Sequence, residues 1–310
     1  MSTAFIFPGQ GAQTIGMGRD LAEAYPAARA VFDEVDDALD EKLSALIWEG
    51  DQAELTLTQN AQPALMAMSM AVMRALETEG ISVADAAFVA GHSLGEYSAL
   101  SAAGAFTVAD AARLLRLRGE AMQSAVPVGE GAMAAILGLD IEAVRAIATE
   151  AAAGQVCEAA NDNDPAQVVI SGHKSAVERG AEIAKARGAK RALMLPVSAP
   201  FHSALMAPAA EVMAQALSSV EMQSPKVPVV SNVRARPVSS SDEIVPLLVE
   251  QVTHAVRWRE SVAWMAGEGG VSAFWEIGAG KALTGMVRRI AKEAETRAIS
   301  APADVQATRG

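Results

Sequence analysis

The chain has 310 residues, of which 51% are hydrophobic and 20% charged, a composition typical of a globular protein with a large buried core. Its net charge of −12 argues against a nucleic-acid partner, because phosphate backbones repel an acidic surface. The only cysteine, Cys157, excludes a disulfide framework within the chain, and we expect its thiol to be buried in a strand.

Targeting segments are not apparent in the sequence. No apolar run approaches the roughly 18 residues that a membrane span needs. The first apolar stretch ends at Pro8, which is too early for a signal sequence. We therefore expect a soluble, cytoplasmic protein without a membrane partner.

The first predicted element is a buried strand over residues 3–7, followed at once by the loop Pro8-Gly9-Gln10-Gly11-Ala12-Gln13. A dinucleotide fingerprint is excluded here, because Thr14 occupies its third glycine position, and a phosphate-binding lysine is absent. A loop this rich in glycine and glutamine exposes backbone N–H groups, which can stabilise a negatively charged oxygen.

Helices are predicted next. Residues 20–50 form helices with an acidic, solvated face. Pro63 begins a long apolar helix, Ala64–Glu79, because proline is tolerated in the first turn.

The sequence Gly91-His92-Ser93-Leu94-Gly95 is the most informative stretch of the chain. The apolar run 87–90 predicts a short buried strand before it, and small residues predict a helix from Glu96 to about Ala103. Such a strand–turn–helix holds a serine hydroxyl in a strained, exposed position at a helix N-terminus. The structural alternative is a glycine-flanked serine in a tight loop. We interpret Ser93 as a nucleophile.

A helix that begins after Thr107 and ends near Gln123 carries Arg118 on its apolar stripe. The other members of the stripe are Ala111, Leu114, Leu115 and Met122. A buried guanidinium requires an anion, which is either an acidic residue of the core or a carboxylate of the substrate. Arg113 and Arg116 are expected on the opposite, solvent-exposed side.

From residue 133 onward the pattern changes to β-α-β-β-α-β, the arrangement of a ferredoxin-like unit. Strands are predicted at 133–137, 156–160, 168–171 and 191–197, and helices at 141–152 and 175–187. The fold class is therefore α/β: a hydrolase-like core with a parallel sheet and a nucleophile elbow, plus an inserted ferredoxin-like subdomain. The core comprises residues 1–126 and 198–300, the insert residues 127–197, and a flexible tail residues 301–310.

Residues 171–191 of the insert carry six basic side chains against two acidic ones. This stretch is either a solvated helix face or a docking patch for an acidic partner. The residues of the proposed patch are Lys174, Arg179, Lys185, Lys190 and Arg191.

Of the four histidines in the chain, His202 is the best candidate for a general base, since it lies in a loop that leaves the insert. His92 lies beside the nucleophile, and its side chain is expected to turn away from it. No acidic residue between Ser93 and His202 has the strand-end context of a triad carboxylate. A carbonyl oxygen could orient the imidazole instead, which suits acyl transfer between thioesters more than amide cleavage.

The remaining elements are two core strands, at Pro225–Val233 and Ala273–Ile277, and a final helix from Ala282 to about Glu293. A frayed segment, residues 299–310, is expected to follow.

Four motifs together resemble the malonyl-CoA:acyl-carrier-protein transacylases. They are FPGQGAQ at residues 7–13, GHSLGEY at 91–97, LRG at 117–119 and PFHS at 200–203. QVVISG at 167–172 and EIGAGKALTG at 276–285 extend the resemblance, which covers residue 3 to about residue 295.

The resemblance implies a malonyl ester on Ser93, with His202 as general base and acid. It implies an oxyanion hole formed by the backbone N–H groups of Gln10 and Leu94. Arg118 would bind the free carboxylate of the malonyl group.

Three supporting residues follow from the same resemblance. The main-chain oxygen of Gln251 would orient the histidine, and Gln62 would lie near the pocket. Phe201, together with Leu94, would crowd a 2-methyl group and so favour malonyl over branched units, by about 1–3 kcal/mol.

The implied substrates are malonyl-CoA, a coenzyme A thioester, and the phosphopantetheine thiol of acyl carrier protein, which accepts the malonyl group in a ping-pong cycle for fatty acid synthesis. Neither a cofactor nor a metal is implied, and we expect a monomer. The alternatives are a trans-acting acyltransferase of polyketide synthesis and a serine hydrolase or thioesterase.

The sequence departs from the family pattern at two places. His254-Ala255 replaces a common Asn-Pro, close to Gln251, and Ala279 replaces a common proline. Both substitutions concern the local loop conformation.

Overall fold

A computed structural model describes residues 2–197 and 199–309. The strands are β1 (Thr3–Phe7), β2 (Phe88–Gly91), β3 (Gly131–Leu137), β4 (Cys157–Asp164), β5 (Gln167–His173), β6 (Arg191–Met194), β7 (Val229–Val230), β8 (Pro237–Val238), β9 (Ala273–Ile277) and β10 (Glu295–Ile299). The helices are α1 (Arg19–Ala24), α2 (Pro26–Leu39), α3 (Leu43–Glu49), α4 (Gln52–Thr56), α5 (Thr58–Thr78), α6 (Leu94–Ala102), α7 (Val108–Ser124), α8 (Ile141–Ala152), α9 (Lys174–Ala186), α10 (Ala207–Ser218), α11 (Ser241–Thr253), α12 (Trp258–Ala266), α13 (Ala282–Ile290) and α14 (Pro302–Gln306).

A six-stranded sheet in the order β10-β9-β1-β2-β7-β8 forms the centre of the core. Its strands are parallel except for β8, which runs antiparallel to β7. The apolar side chains of β1 are buried on both faces, as the continuous hydrophobic run predicts for a parallel strand. The register pairs Phe7 with Gly91, so the loops that follow β1 and β2 leave the same edge of the sheet. The glutamine-rich loop therefore lies beside the serine turn.

A second, antiparallel sheet in the order β4-β5-β3-β6 lies wholly within the predicted insert and carries α8 and α9. This order is that of a ferredoxin-like unit, and the predicted fold class is confirmed. The insert has an apolar cluster of its own, which includes Ile136, Val144 and Ile170. The division into residue ranges stays a prediction, and Ser198, the first residue of the predicted second core segment, lies outside the described residues.

Strand β4 joins the insert to the core through polar contacts. Asn161 forms a parallel bridge to Val256. The buried carboxylate of Asp162 binds Arg259 at 2.8 Å, and Asp164 binds Arg289 at 2.7 Å. Cys157 begins this strand and is buried as expected, and burial raises the pKa of its thiol to about 11.

Helix α5 begins earlier than predicted, so Pro63 lies inside the helix rather than in its first turn. Proline has no N–H to donate to the carbonyl oxygen four residues back, which here is that of Gln59. That oxygen accepts a hydrogen bond of 2.7 Å from the Arg116 guanidinium instead. The prediction that Arg116 faces solvent is therefore wrong: its side chain is 14% exposed and also binds Asn60 and Glu41.

The C-terminal segment also differs from the prediction, because an unpredicted strand follows α13 and a helix lies within the expected frayed tail. Strand β10 pairs in parallel with β9 at the edge of the main sheet. Helix α14 follows, with the Asp304 carboxylate accepting from the Ala301 N–H at 2.9 Å and Val305 fully buried. The flexible tail predicted from residue 301 is thus wrong for residues 302–306, since tertiary contacts hold them in a helix. The strand predicted over Pro225–Val233 is shortened to β7.

Candidate active site

Ser93 lies at the sharp turn between β2 and α6, with φ 54° and ψ −112°. This conformation is rare for a residue with a side chain and indicates backbone strain. The flanking glycines permit the turn: a Cβ on Gly91 would lie 1.8 Å from the Gly95 backbone, and a Cβ on Gly95 would lie 2.3 Å from the Phe7 carbonyl oxygen. The hydroxyl is thereby presented above the edge of the sheet, at a helix N-terminus.

His202 reaches the nucleophile from the loop between the insert and α10. Its Nε2 lies 2.7 Å from the Ser93 Oγ, and its Nδ1 lies 2.8 Å from the carbonyl oxygen of Gln251. In the tautomer that fits both contacts, Nδ1–H donates to that carbonyl and Nε2 accepts the serine proton. A carbonyl oxygen therefore takes the place of a triad carboxylate.

The His202 imidazole is held neutral. Burial, reinforced by the positive charge of Arg118, lowers its pKa to about 3. It has a positive φ of 57°, so both members of the pair occupy a strained backbone region. A neutral imidazole in hydrogen-bond contact with a serine hydroxyl can accept its proton.

Arg118 on α7 is 1% exposed, as predicted from its place on the apolar stripe. Its Nη1 donates to the Gln62 Oε1 at 2.7 Å, and its Nη2 donates to the Gln251 Oε1 at 2.9 Å and the Ser93 Oγ at 3.2 Å. Within the described part of the chain, no carboxylate lies within ion-pair distance of this guanidinium. The sequence analysis gave two candidate anions for Arg118, an acidic residue of the core and a carboxylate of the substrate. The first is therefore excluded as a direct partner.

A cavity of about 460 Å³ opens in front of the Ser93 hydroxyl, between the core and the insert. The loop after β1 contributes Gln10, whose Oε1 accepts from the Thr58 hydroxyl at 3.0 Å. The insert contributes Asn161, and Phe201 and Leu94 also line the cavity. The cavity is therefore large enough to hold a small acyl group in front of the serine and the guanidinium.

The substitution at His254-Ala255 leaves the loop able to support the site. Helix α11 ends at Thr253, and the His254 Nδ1 lies 3.0 Å from the Glu250 carbonyl oxygen. The next residue but one, Val256, donates its N–H to the Ala160 carbonyl at 2.9 Å. The Gln251 carbonyl consequently keeps its contact with the histidine.

The structure adds three polar residues that the sequence analysis did not assign to the site. Asn232 accepts a hydrogen bond from the Ser93 N–H at 2.8 Å through its Oδ1. Glu96, on the first turn of α6, is buried next to Gln251. Asn163 of the insert binds the His92 Nε2 at 2.8 Å, which turns that imidazole away from the serine. Asn232 lies near the end of the predicted strand Pro225–Val233. A polar residue at the end of a core strand was the only sequence signal that could have assigned it to the site.

The proposed basic patch is only partly free. Arg179 donates to the carbonyl oxygens of Ala151 and Ala152, and Lys185 pairs with Glu182. Arg179 therefore stabilises the insert itself, whereas Lys185 makes an exposed ion pair within α9. Lys190 and Arg191 are exposed at the start of β6, the edge strand whose continuation lines the cavity.

The fold and the site together define an acyltransferase. The parallel sheet carries a serine elbow, and beside the serine lie a buried neutral histidine and an arginine without a carboxylate partner. The family model for the acyl transferase domain matches residues 4–304, so the chain belongs to that family. Within it, the chain belongs to the malonyl CoA-acyl carrier protein transacylases: it is 49% identical to the protein of that name from Bacillus subtilis over 304 residues, which are 98% of this chain and 95% of the relative. The serine hydrolase alternative is thereby set aside.

Similar solved structures support the same family. An acyl-carrier-protein-S-malonyltransferase from Bartonella henselae superposes with a TM-score of 0.97 at 55% identity, covering 99% of this chain and 98% of that one. A malonyl-transacylase in complex with a type II PKS acyl-carrier protein superposes with a TM-score of 0.96 at 44% identity, covering 99% of this chain and 98% of that one. Among the described residues, no helix is long and apolar enough to cross a membrane.

Proposed function

We propose that this chain transfers the malonyl group from malonyl-CoA to the phosphopantetheine thiol of acyl carrier protein, through an ester on Ser93, and so supplies fatty acid synthesis. The observation that carries the proposal is the Arg118 guanidinium, which lies 3.2 Å from the nucleophile without a carboxylate partner. A buried cation in this place requires an anionic acyl group, and the free carboxylate of malonate supplies one.

In the first half-reaction, the Ser93 Oγ attacks the thioester carbonyl carbon while its proton passes to the His202 Nε2. The C–S bond then breaks, and the coenzyme A sulfur takes the same proton from the imidazolium. The Gln251 carbonyl, 2.8 Å from Nδ1, stabilises the transient positive charge. Arg118 fixes the far end of the acyl group, so the carbonyl carbon meets the hydroxyl.

In the second half-reaction, His202 takes a proton from the phosphopantetheine thiol, and the resulting thiolate attacks the ester. Ser93 leaves with that proton, which regenerates the enzyme. The backbone N–H groups of Gln10, in the loop after β1, and of Leu94, the first residue of α6, form the proposed oxyanion hole. Proton transfer and ester exchange need no cofactor and no metal, and we propose that none takes part.

The shape of the cavity supports selection of an unbranched malonyl unit. Phe201 and Leu94 both line it beside the nucleophile. A 2-methyl group would have to displace one of these buried side chains. The expected discrimination is about 1–3 kcal/mol.

The acyl carrier protein is proposed to dock at the edge strand β6. Lys190 and Arg191 supply positive charge there, and the apolar side chains of Leu193 and Met194 are 49% and 44% exposed. The following residues, from Leu195, line the cavity. A carrier protein seated on this strand would therefore place its phosphopantetheine arm at the entrance. The monomeric state and the cytoplasmic location stay predictions.

A second candidate is transfer to a polyketide carrier protein. It is favoured by the structural similarity to the malonyl-transacylase that was solved with a type II PKS acyl-carrier protein. The chemistry on Ser93 is the same. Parallel assays with the two kinds of carrier protein at equal concentration distinguish the candidates by their kcat/KM values.

The proposed function is tested by intact-mass measurement after mixing the protein with malonyl-CoA or acetyl-CoA. We expect a malonyl adduct that is absent in Ser93→Ala and at least tenfold slower to form in Arg118→Ala, since one buried charge-assisted hydrogen-bond pair is worth about 1.5–3 kcal/mol. Arg113→Ala is the matched control, because this arginine lies on the same helix with its side chain 58% exposed. An acetyl adduct that forms as readily as the malonyl adduct, or release of free malonate alone in the presence of carrier protein, would contradict the proposal.

A further inference from the structure

Glu96 is a buried acidic residue near Ser93 that has no role in the proposed transfer reaction. It lies three residues after the nucleophile and is 3% exposed. Its Oε2 accepts a hydrogen bond of 2.7 Å from the Gln251 Nε2 and one of 3.3 Å from the Asn232 N–H. The Gln251 Nε2 also donates to the Ser93 carbonyl oxygen, and the Asn232 Oδ1 accepts from the Ser93 N–H. Glu96 is therefore part of the scaffold directly behind the nucleophile.

The contacts of Gln251 determine which way its carboxamide faces. Its NH₂ group lies 2.7 Å from the Glu96 carboxylate and 3.0 Å from the Ser93 carbonyl oxygen. Since these two oxygens accept hydrogen bonds, the NH₂ group must face them. The Oε1 is then left to accept from Arg118, at 2.9 Å. A flipped amide would direct its NH₂ group at the guanidinium, where two donors repel each other.

Glu96 is also the acidic residue connected to Arg118 through a single side chain. The guanidinium has no direct carboxylate partner among the described residues, so this bridged anion compensates its charge in the free enzyme. When the substrate carboxylate binds Arg118, two anions share one cation within a buried site. The second anion is unfavourable unless one of the two is neutralised.

We propose that Glu96 is a positioning residue that holds Gln251 in the orientation required by Arg118, and that binding of the malonyl carboxylate is coupled to uptake of a proton by Glu96. This inference rests on the proposed function. It makes the affinity for malonyl-CoA, but not for an acyl-CoA without a free carboxylate, depend on the ionisation of Glu96.

The pH range of this coupling follows from burial, which raises the pKa of Glu96 to about 7 in spite of its hydrogen bonds and the nearby Arg118. Two other ionisable groups, Arg118 and Tyr97, interact with its charge. Burial raises the pKa of Tyr97, on the same helix, to about 12, and Arg118 stays cationic. Burial lowers the pKa of the catalytic-site imidazole of His202 to about 3. The buried part of α5 and the strands β1, β2 and β7 carry no ionisable side chain. Between pH 6 and 8.5, Glu96 is thus the group expected to titrate.

The ionisation state of Glu96 sets the direction of the pH effect. Below the pKa of Glu96, the residue is neutral and Arg118 is free to pair with the substrate. Above it, the Glu96 anion competes, so the KM for malonyl-CoA rises. We expect a rise of about fivefold between pH 6 and 8.5, within the usual range for coupled sites. The KM for acetyl-CoA should lack this rise.

The experiment measures single-turnover acylation of Ser93 by malonyl-CoA and by acetyl-CoA from pH 6 to 8.5, in the wild type, Glu96→Gln and Glu96→Ala. In Glu96→Gln the amide oxygen still accepts from Gln251, so acylation persists but the malonyl-specific pH dependence is lost. In Glu96→Ala the anchor itself is lost, and the preference for malonyl over acetyl should fall about tenfold at pH 6. Asp36→Asn is the matched control: it removes a buried carboxylate that binds Ser44 at 2.6 Å, and it should leave both pH profiles unchanged.

Three results would overturn the coupling between Glu96 ionisation and malonyl binding, and a fourth would instead overturn the proposed function. A malonyl-specific rise that persists in Glu96→Gln, or an equal rise with acetyl-CoA, overturns the coupling. If the variants do not fold, a wild-type enzyme without a malonyl-specific rise overturns it equally. If the wild type forms no malonyl adduct at all, the proposed function fails rather than this inference.

Discussion

At the scale of single residues, the reacting pair combines backbone strain with a neutral base. Ser93 and His202 both have a positive φ, of 54° and 57°. A residue with a side chain keeps a positive φ only where surrounding contacts hold its backbone in that conformation. Here those contacts are the Asn232 side chain on the serine N–H and the Gln251 carbonyl on the imidazole. The strain is thus maintained by groups that also orient the reacting atoms.

The low pKa of His202 predicts how acylation depends on pH. A base must be unprotonated, and an ordinary imidazole loses this form below its usual pKa of 6.5, by about tenfold per pH unit. With a pKa of about 3, the imidazole of the resting enzyme stays competent well below that point. We expect the maximal rate of Ser93 acylation by acetyl-CoA to change less than threefold between pH 7.5 and 5.5. Stopped-flow or quench-flow measurement at saturating thioester checks this.

A maximal rate that falls in parallel with the titration of a free imidazole would contradict the prediction. Far-UV circular dichroism at each pH is the control for unfolding. It is needed because a histidine with a lowered folded-state pKa contributes stability that is present above pH 6.5 and lost as the pH falls toward 3.

At the scale of elements, the serine turn depends on close contact between α6 and the end of β1. Gly95, in the first turn of α6, lies against the Phe7 carbonyl oxygen, with no room for a methyl group. Gly285, within α13, has open space at the same position. Substitution by alanine is therefore expected to have opposite effects on stability at the two glycines.

We expect Gly95→Ala to lower the free energy of unfolding by about 1–3 kcal/mol or more, because the overlap is with backbone that cannot move aside easily. Gly285→Ala should raise it by about 0.5–1 kcal/mol, because alanine restricts the unfolded chain and favours the helix. Urea titration of both variants, with the m-value as the check on two-state behaviour, measures the difference. Equal stability of the two variants would show that α6 can shift away from β1.

At the scale of the whole molecule, charge is distributed unevenly along the chain. Residues 20–54 are rich in acidic side chains, whereas Lys190 and Arg191 are adjacent basic residues where β6 begins. An acidic partner is repelled from the first region and attracted to the second. This asymmetry favours an approach of the carrier protein over the insert.

Charge reversal tests that approach. The double variant Lys190→Glu, Arg191→Glu should raise the KM for acyl carrier protein about tenfold at low salt and leave the KM for malonyl-CoA unchanged, because rim charges act mainly on association. The effect should shrink as the ionic strength rises. Lys292→Glu, an exposed lysine outside the insert, is the control. An unchanged KM for the carrier protein in the double variant would remove β6 from the docking surface.

Much of this architecture is predictable from local sequence. The strand–turn–helix at Ser93, the position of Arg118 on an apolar stripe and the order of elements in the insert follow from hydrophobic periodicity and from glycines in places where a Cβ does not fit. The first two of these signals are local in the chain, and the third is a succession of local patterns along the insert. The periodic patterns of the insert were sufficient to predict a ferredoxin-like unit, which the strand order confirms.

The remaining features were decided by contacts between distant parts of the chain. Arg116 is half-buried because Pro63 leaves the Gln59 carbonyl oxygen free to accept from its guanidinium, and α14 forms a helix where Val305 is buried in the main core. Glu96 and Gln251 are 155 residues apart in sequence but 2.7 Å apart in space. Ser93, His202, Arg118 and the α/β class could be predicted without a structure, because each is marked by a short sequence pattern. The hydrogen-bond partners of the buried polar groups could not, because a buried donor must find an acceptor wherever the fold brings one.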